Sequence, residues 1–411
     1  MELRAYDESR DKDAVCRIWR EAGWMEGDKT EAFDAHRAAS RGLVALIDGE
    51  AECLVLTSPG TVRYLDEDLS WSCVSAVVTS RVARKQAFAS RLSAQAIAND
   101  VAQGAIVSGL GMFEQGYYDR LGFGTGSYVH RVAFDPSRLR VDGATRVPCR
   151  LTVDDYKIIH ANRLNRDLPH GAVTLAPPGF TKADILQGKE CDFGLGFADG
   201  PNGELTHHLW MYTRGKVESG PYCVGWMAWK TREQFLELMG LLKNLGDQVR
   251  LIFVRETHGI QLQDLIDKPM QHRQMTTDSD FDSRMRVVAY WQMRICDVPK
   301  VLEQTHLRGD ELRFNLKLTD PIERYLSDDG PWLGIGGDYV VTLGPSSGAA
   351  SGSDGTLPTL TASVGAFTRL WLGVRPATAL HITDELDGPR ELLEELDWTL
   401  RLPAPETGWD F

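Results

Sequence analysis

Ser72-Cys73-Val74-Ser75-Ala76-Val77-Val78-Thr79, followed by Ser80-Arg81-Val82-Ala83-Arg84-Lys85-Gln86-Ala87, gives the first firm reading in the chain. The first eight residues are small or β-branched and predict a buried strand. The next eight form a basic turn. A helical run from Phe88 to Gln103 follows, closed by Gly104. Ala105-Ile106-Val107 reads as a second apolar strand, and Tyr117-Tyr118-Asp119-Arg120-Leu121-Gly122-Phe123-Gly124 lies beyond it.

A strand that feeds a turn and then a helix aims free backbone N–H groups at whatever sits before the helix. Ala83, Ala87 and Ala89 are small enough to let an anion approach the backbone, and Arg84 and Lys85 add positive charge there. Phe88, Leu92, Ala96 and Val101 fall near one helical face, so the helix docks on the sheet. The order predicts a diphosphate site.

Working outward, residues 3–6 read as a strand, and Asp11 to Ala22 as a helix closed by Gly23. Gly42 to Leu56 is a hairpin around Asp48-Gly49, a type I′ turn signal, and Thr61 to Tyr64 extends the meander. Ser127 to Phe134 is expected to be the last strand of this unit. The middle third carries a helical run, Val153 to Leu164, and strand-like pieces at Phe193–Phe197, His207–Thr213 and Gly220–Lys230. The helix Arg232 to Leu245 and the strand Val249 to Val254 follow, with no second basic turn. In the last third, Gly344 to Gly355 reads as a flexible surface loop, and Pro389-Arg390 opens a final helix.

The 411 residues predict two or three domains at roughly 100–200 residues each. A net charge of −13 excludes nucleic acid and anionic membrane as main partners and suits a cationic substrate. Seven cysteines without a C-x-x-C indicate neither a disulfide framework nor zinc, so no metal is expected. Neighbours in a strand face opposite sides, so His207 and His208 do not chelate together. Tyr222, Trp226 and Trp229 read as core aromatics or a ligand wall. No leader or spanning segment is seen, which makes the cytoplasm the expected compartment.

Arg84-Lys85-Gln86-Ala87-Phe88-Ala89 resembles the R/Q-x-x-G/A-x-G/A pyrophosphate loop of the GNAT superfamily of N-acetyltransferases. Tyr118 to Gly124 resembles their Y-x-R-x-G-F/Y segment. Ala87 stands where glycine is usual. Trp291-x-x-Arg294-Ile295-x-Asp297-Val298-Pro299, Thr319-Asp320-Pro321 and the ending Trp409-Asp410-Phe411 together resemble the Eis-like acetyltransferases.

That resemblance implies an α/β (α+β) chain of three parts. Residues 1–142 would be a GNAT domain binding acetyl-CoA, 143–285 a second, degenerate GNAT-like domain, and 286–411 a sterol-carrier-protein-like domain. It implies acetyl transfer to a primary amine, of the aminoglycoside, polyamine or lysine kind. Val77, Val78 and Thr79 would hold the pantetheine arm. Arg84 and Lys85, with the amides of Gln86, Ala87, Phe88 and Ala89, would hold the diphosphate. Tyr118, with Tyr117 as its nearest rival, would be the acid, and the α-carboxylate of Phe411 the base. Glu26, with Asp28 and Glu31 nearby, and Asp410 would attract the amine. A homo-hexamer is implied. The other reading kept is a carrier for acyl-CoA or an apolar ligand, with no catalysis.

Overall fold

The computed structural model describes residues 2–27, 29–143, 146–269 and 280–411. The hairpin is as expected: Asp48 and Gly49 both have positive φ, 50° and 87°, the geometry of a type I′ turn. It joins β2 (Arg41–Ile47) to β3 (Glu50–Tyr64). With β1 (Glu2–Ala5) and β4 (Glu67–Thr79) these form an antiparallel meander, and β5 (Val107–Gly111) joins parallel to β4. The second apolar strand therefore starts later than expected. Ala105 and Ile106 are buried but only lead into it, because an apolar run marks burial rather than pairing.

Alternation along the strands places the helices. Val44, Leu46, Leu54 and Leu56 pack on α1 (Glu8–Glu21) and α2 (Glu31–Ala38). Ala45, Cys53 and Val55 point the other way, onto α3 (Phe88–Ala102).

The expected last strand of the first unit goes elsewhere. After the short β6 (Gly124–Thr125), β7 (Val129–Phe134) leaves the first sheet and joins the second, between strands 252–255 and 284–288. The first sheet is completed from outside. Trp291–Ile295 lies antiparallel to β5, and Val173–Leu175 pairs with β3, giving eight strands. Strand propensity records that a segment will pair but not with which sheet.

The second sheet has seven strands, with Gly220–Ala228 parallel to Ile252–Arg255. The third is five-stranded. Its edge strand Gly348–Ser351 falls inside the expected flexible loop. Small residues without turn geometry can pair flat along a sheet edge, so that loop reading was wrong. The first and third sheets share one core: Tyr64 and Trp71 join Trp291, Phe314, Trp371 and Leu396 in it, and the Tyr64 and Trp371 rings stack 4.5 Å apart. Among the described residues no helix is long and apolar enough to cross a membrane.

Candidate active site

β4 and β5 pair only where Trp71 to Cys73 face Val107 to Gly109. Beyond Cys73, β4 bulges. Leu54 faces Val78 but Leu56 faces Ser75, and Ala76 carries a φ of 48°. The extra residue re-aims the strand. The β5-facing edge of Val77, Val78 and Thr79 is left without a strand partner, at the mouth of a wedge between the two strands.

The basic turn lies at the end of that edge. Lys85 and Ala87 both have φ of 61°, in the left-handed region, on either side of Gln86. Alternating backbone hands turn successive N–H groups toward a common point, an anion nest. No acid occupies the first turn of α3, so its positive end is uncompensated there. Arg84, Lys85, Gln86 and Ala87 are exposed, Ala89 is half-buried, and Phe88 is buried and pins the helix. The second sheet lacks this arrangement. Before the helix Arg232–Asn244, the Thr231 hydroxyl accepts the Gln234 amide at 3.3 Å and the Gln234 side chain accepts from Thr231 and Lys230. That helix start is capped by its own side chains.

Tyr118 sits on the α3 side of the first sheet, packed with Leu110, Leu121 and Phe123. Burial holds its hydroxyl well above the ordinary tyrosine range, with Tyr117 and Cys53 adding to the effect. Among the described residues the Tyr118 hydroxyl has no hydrogen-bond partner. The Tyr117 hydroxyl, in contrast, lies 3.4 Å from Ser90 Oγ, and Arg120 covers its ring.

Two motifs noted in the sequence meet beneath this segment. Arg294 and Asp320, both with fully buried side chains, pair at 2.7 Å. Arg294 also donates to the Leu121 carbonyl, and Asp320 accepts from the amide of Ile335 at 3.0 Å. A β-carbon on Gly122 would meet Arg294 Nη1 at 2.9 Å and Asp320 Oδ1 at 3.1 Å, and Gly122 has φ of 77°. Only glycine fits that turn.

The end of the chain docks into the first sheet. A β-carbon on Gly111 would collide with a carboxyl oxygen of Phe411, whose ring lies edge-on to Trp71 at 5.1 Å. Gly109 and Gly111 share one face of β5, and Leu110, packed with Tyr118, lies on the other. Phe411 and Tyr118 thus flank β5 from opposite faces. Asp410 is paired with Arg255 at 3.1 Å, bonded to the Tyr290 hydroxyl, and 3.7 Å from Arg131. Trp409 is buried under Arg163, 3.7 Å above its ring. Glu26 is exposed, as is Glu31, while Asp28 lies outside the described residues.

The histidines do other work. His207 meets Glu237 at 3.0 Å, and His208 accepts from Trp226 and faces Asn162 on the opposite side. Asp199, His207 and Glu237 lie within metal-binding reach of one another. Arg146, however, donates to both carboxylates at 2.6 to 2.9 Å, which makes the group a closed ion network. Trp226 and Trp229 line a cavity, and Tyr222 packs in the core of the second sheet.

No family model matches the sequence, and no curated protein matches it. Solved structures do. A probable N-acyltransferase from Enterococcus faecalis V583 superposes with a TM-score of 0.79 at 16% identity, over 100% of this chain and 99% of its own. Eis1 from Mycobacterium abscessus gives 0.77 at 14% identity, with both chains covered in full. A GCN5-related N-acetyltransferase from Anabaena variabilis gives 0.77 at 12%, again over both full chains. The chain has the GCN5-related N-acetyltransferase fold. The wedge between β4 and β5, the nest and Tyr118 all belong to the first sheet and α3, and the end of the chain meets that sheet at Gly111 and Trp71.

Proposed function

We propose that the protein is an acetyl-CoA-dependent N-acetyltransferase of the Eis-like kind, acting on a primary amine by direct transfer. The observation that carries this reading is the docking of the Phe411 carboxyl against Gly111, on the face of β5 opposite the Tyr118 cluster. A thioester threaded through the wedge would have its sulfur on one side and its carbonyl open to an amine on the other. Acyl transfer needs an acid at the first and a base at the second.

The residues present fit such a coenzyme. The unpaired edge of Val77, Val78 and Thr79 offers amides to the pantetheine arm and the thioester oxygen. The nest of Gln86 to Ala89, with Arg84 and Lys85, suits the diphosphate. Acetyl-CoA supplies the activated acetyl group. Tyr118 gives its proton to the departing sulfur. The Phe411 carboxylate takes the proton of the attacking amine. Glu26 adds negative charge at the approach, and Asp410 anchors the terminus through Arg255.

Three units, 1–142, 143–285 and 286–411, the last sterol-carrier-like, a hexamer and a cytoplasmic setting complete the proposal. Light scattering tests the assembly, and a monomeric mass ends that part of it.

Two tests address the site. Adding a few residues beyond Phe411 displaces the carboxyl from Gly111 and is expected to abolish most thiol release from acetyl-CoA with an amine panel. Full activity in the extended chain would remove the terminal base. Ala87 puts a methyl group at the nest, where the resembled loop usually has glycine and the diphosphate must come close to the backbone. Ala87→Gly is expected to tighten coenzyme A binding severalfold by calorimetry, and weaker binding would show that the methyl belongs to the contact.

A further inference from the structure

The second sheet opens its own wedge. Gly220–Ala228 and Ile252–Arg255 pair only at Tyr222 and Cys223, opposite Ile252 and Phe253. A cavity of about 640 Å³ lies beyond, walled by both strands, by the helices on that face and by the tail at Glu406, Gly408, Trp409 and Asp410. The volume suits a small molecule. The capped helix start excludes a diphosphate seated as in the first sheet.

The charges on the wall are unevenly spent. Arg163 is paired with Asp184 at 2.8 Å, and Arg255 with Asp410. Arg166, only 8% exposed, is bonded to no carboxylate among the described residues. It donates to the carbonyls of Arg163 at 2.7 Å, Val173 at 2.8 Å and Thr407 at 3.4 Å. Those bonds use its two terminal nitrogens, and a guanidinium carries five N–H donors. Burial and the neighbouring Arg163 and Arg255 pull its pKa down to about 9, the mark of a cation short of a counter-charge. Glu406, on the same wall, has no side-chain hydrogen bond among the described residues, and burial lifts its pKa to about 7. The cavity thus presents a buried cation without a carboxylate partner and an acid without a side-chain hydrogen bond among the described residues, and its wall extends to Asp410, one residue before Phe411.

We propose that this cavity holds the far end of the acceptor, and that this end carries a carboxylate seated on Arg166. The acceptor class is then an amino acid or peptide-like amine rather than a simple polycation. A guanidinium fork matches a carboxylate in plane and spacing. The inference rests on the acetyltransferase reading only for its kinetic arm.

The test uses matched pairs: 4-aminobutyrate against 4-aminobutyramide, and 6-aminohexanoate against 6-aminohexanamide. In thiol-release assays with the full chain, KM for at least one acid is expected to be ~10-fold or more below that of its amide, the worth of one charged hydrogen bond. The N-acetylated forms of the same compounds, titrated by calorimetry, should show the same difference in Kd without turnover. Arg166→Gln should erase the difference between acid and amide in both arms. If that variant does not fold, the wild-type pairs still decide. Equal values for acid and amide in every pair, in both arms, overturn the proposal. A binding difference without thiol release from any amine would leave the carboxylate site standing and end the acetyltransferase reading.

Discussion

Tyr118→Phe is expected to lower kcat for amine acetylation by about 10²-fold or more, the usual worth of a positioned proton donor. The change removes one oxygen and keeps the ring in its cluster with Leu110 and Phe123. Among the described residues that oxygen has no hydrogen-bond partner, so stability to urea should hold or rise slightly. KM for coenzyme should stay near wild type, because the nest of Lys85 and Ala87 is untouched. The pH dependence has a definite sign. Burial raises the Tyr118 pKa above its ordinary value, so the phenol keeps its proton through neutral and moderately alkaline pH. No loss of kcat assignable to Tyr118 is expected below about pH 10. Tyr117→Phe is the control. Its hydroxyl already lies near Ser90, and its loss should cost little activity. A Tyr118→Phe enzyme within twofold of wild type would take the acid role away from this residue.

The sequence made the first half of this site readable because its signals are local. A strand, a basic turn and a helix in succession place backbone amides by geometry alone, and the structure has β4, the turn and α3 in that order. The aromatic ending predicted a docked tail, since Trp409 and Phe411 are costly to leave in water. Trp409 is buried, and Phe411 packs on Trp71. What stayed hidden is non-local. Nothing in Val129–Phe134 says that it pairs across to Ile252–Arg255 while Trp291–Ile295 replaces it beside β5. The bulge at Ala76 leaves no mark either, because its alanine adopts a conformation normally given to glycine. Arg166 reads in the chain as one more surface arginine. Only the tail folding over it, through the Thr407 carbonyl and Gly408, makes it a buried cation.

Asp320→Asn should be the most destabilising of the conservative changes in the chain, by roughly 3–5 kcal/mol in urea unfolding. It strands the Arg294 charge, whose side chain is fully buried and has no other carboxylate partner among the described residues. The pair itself need not be stabilising against an apolar replacement, since two desolvated ions roughly offset their attraction. Arg294→Met with Asp320→Leu should therefore recover part of the loss. Recovery stays incomplete for a stated reason: the amides of Ile322 and Ile335 lose Asp320 as acceptor, and the Leu121 carbonyl loses Arg294 as donor. The functional effect separates position from stability. Leu121 and Gly122 lie three and four residues past Tyr118, and this pair holds them from Trp291–Ile295 and from Asp320. The double variant, assayed where it is folded, should lose kcat with little change in KM for coenzyme, because the acid is loosened and the nest is not. An unchanged kcat in the folded double variant would confine the Arg294–Asp320 pair to holding the core together. A full loss of coenzyme affinity would show instead that it shapes the nest.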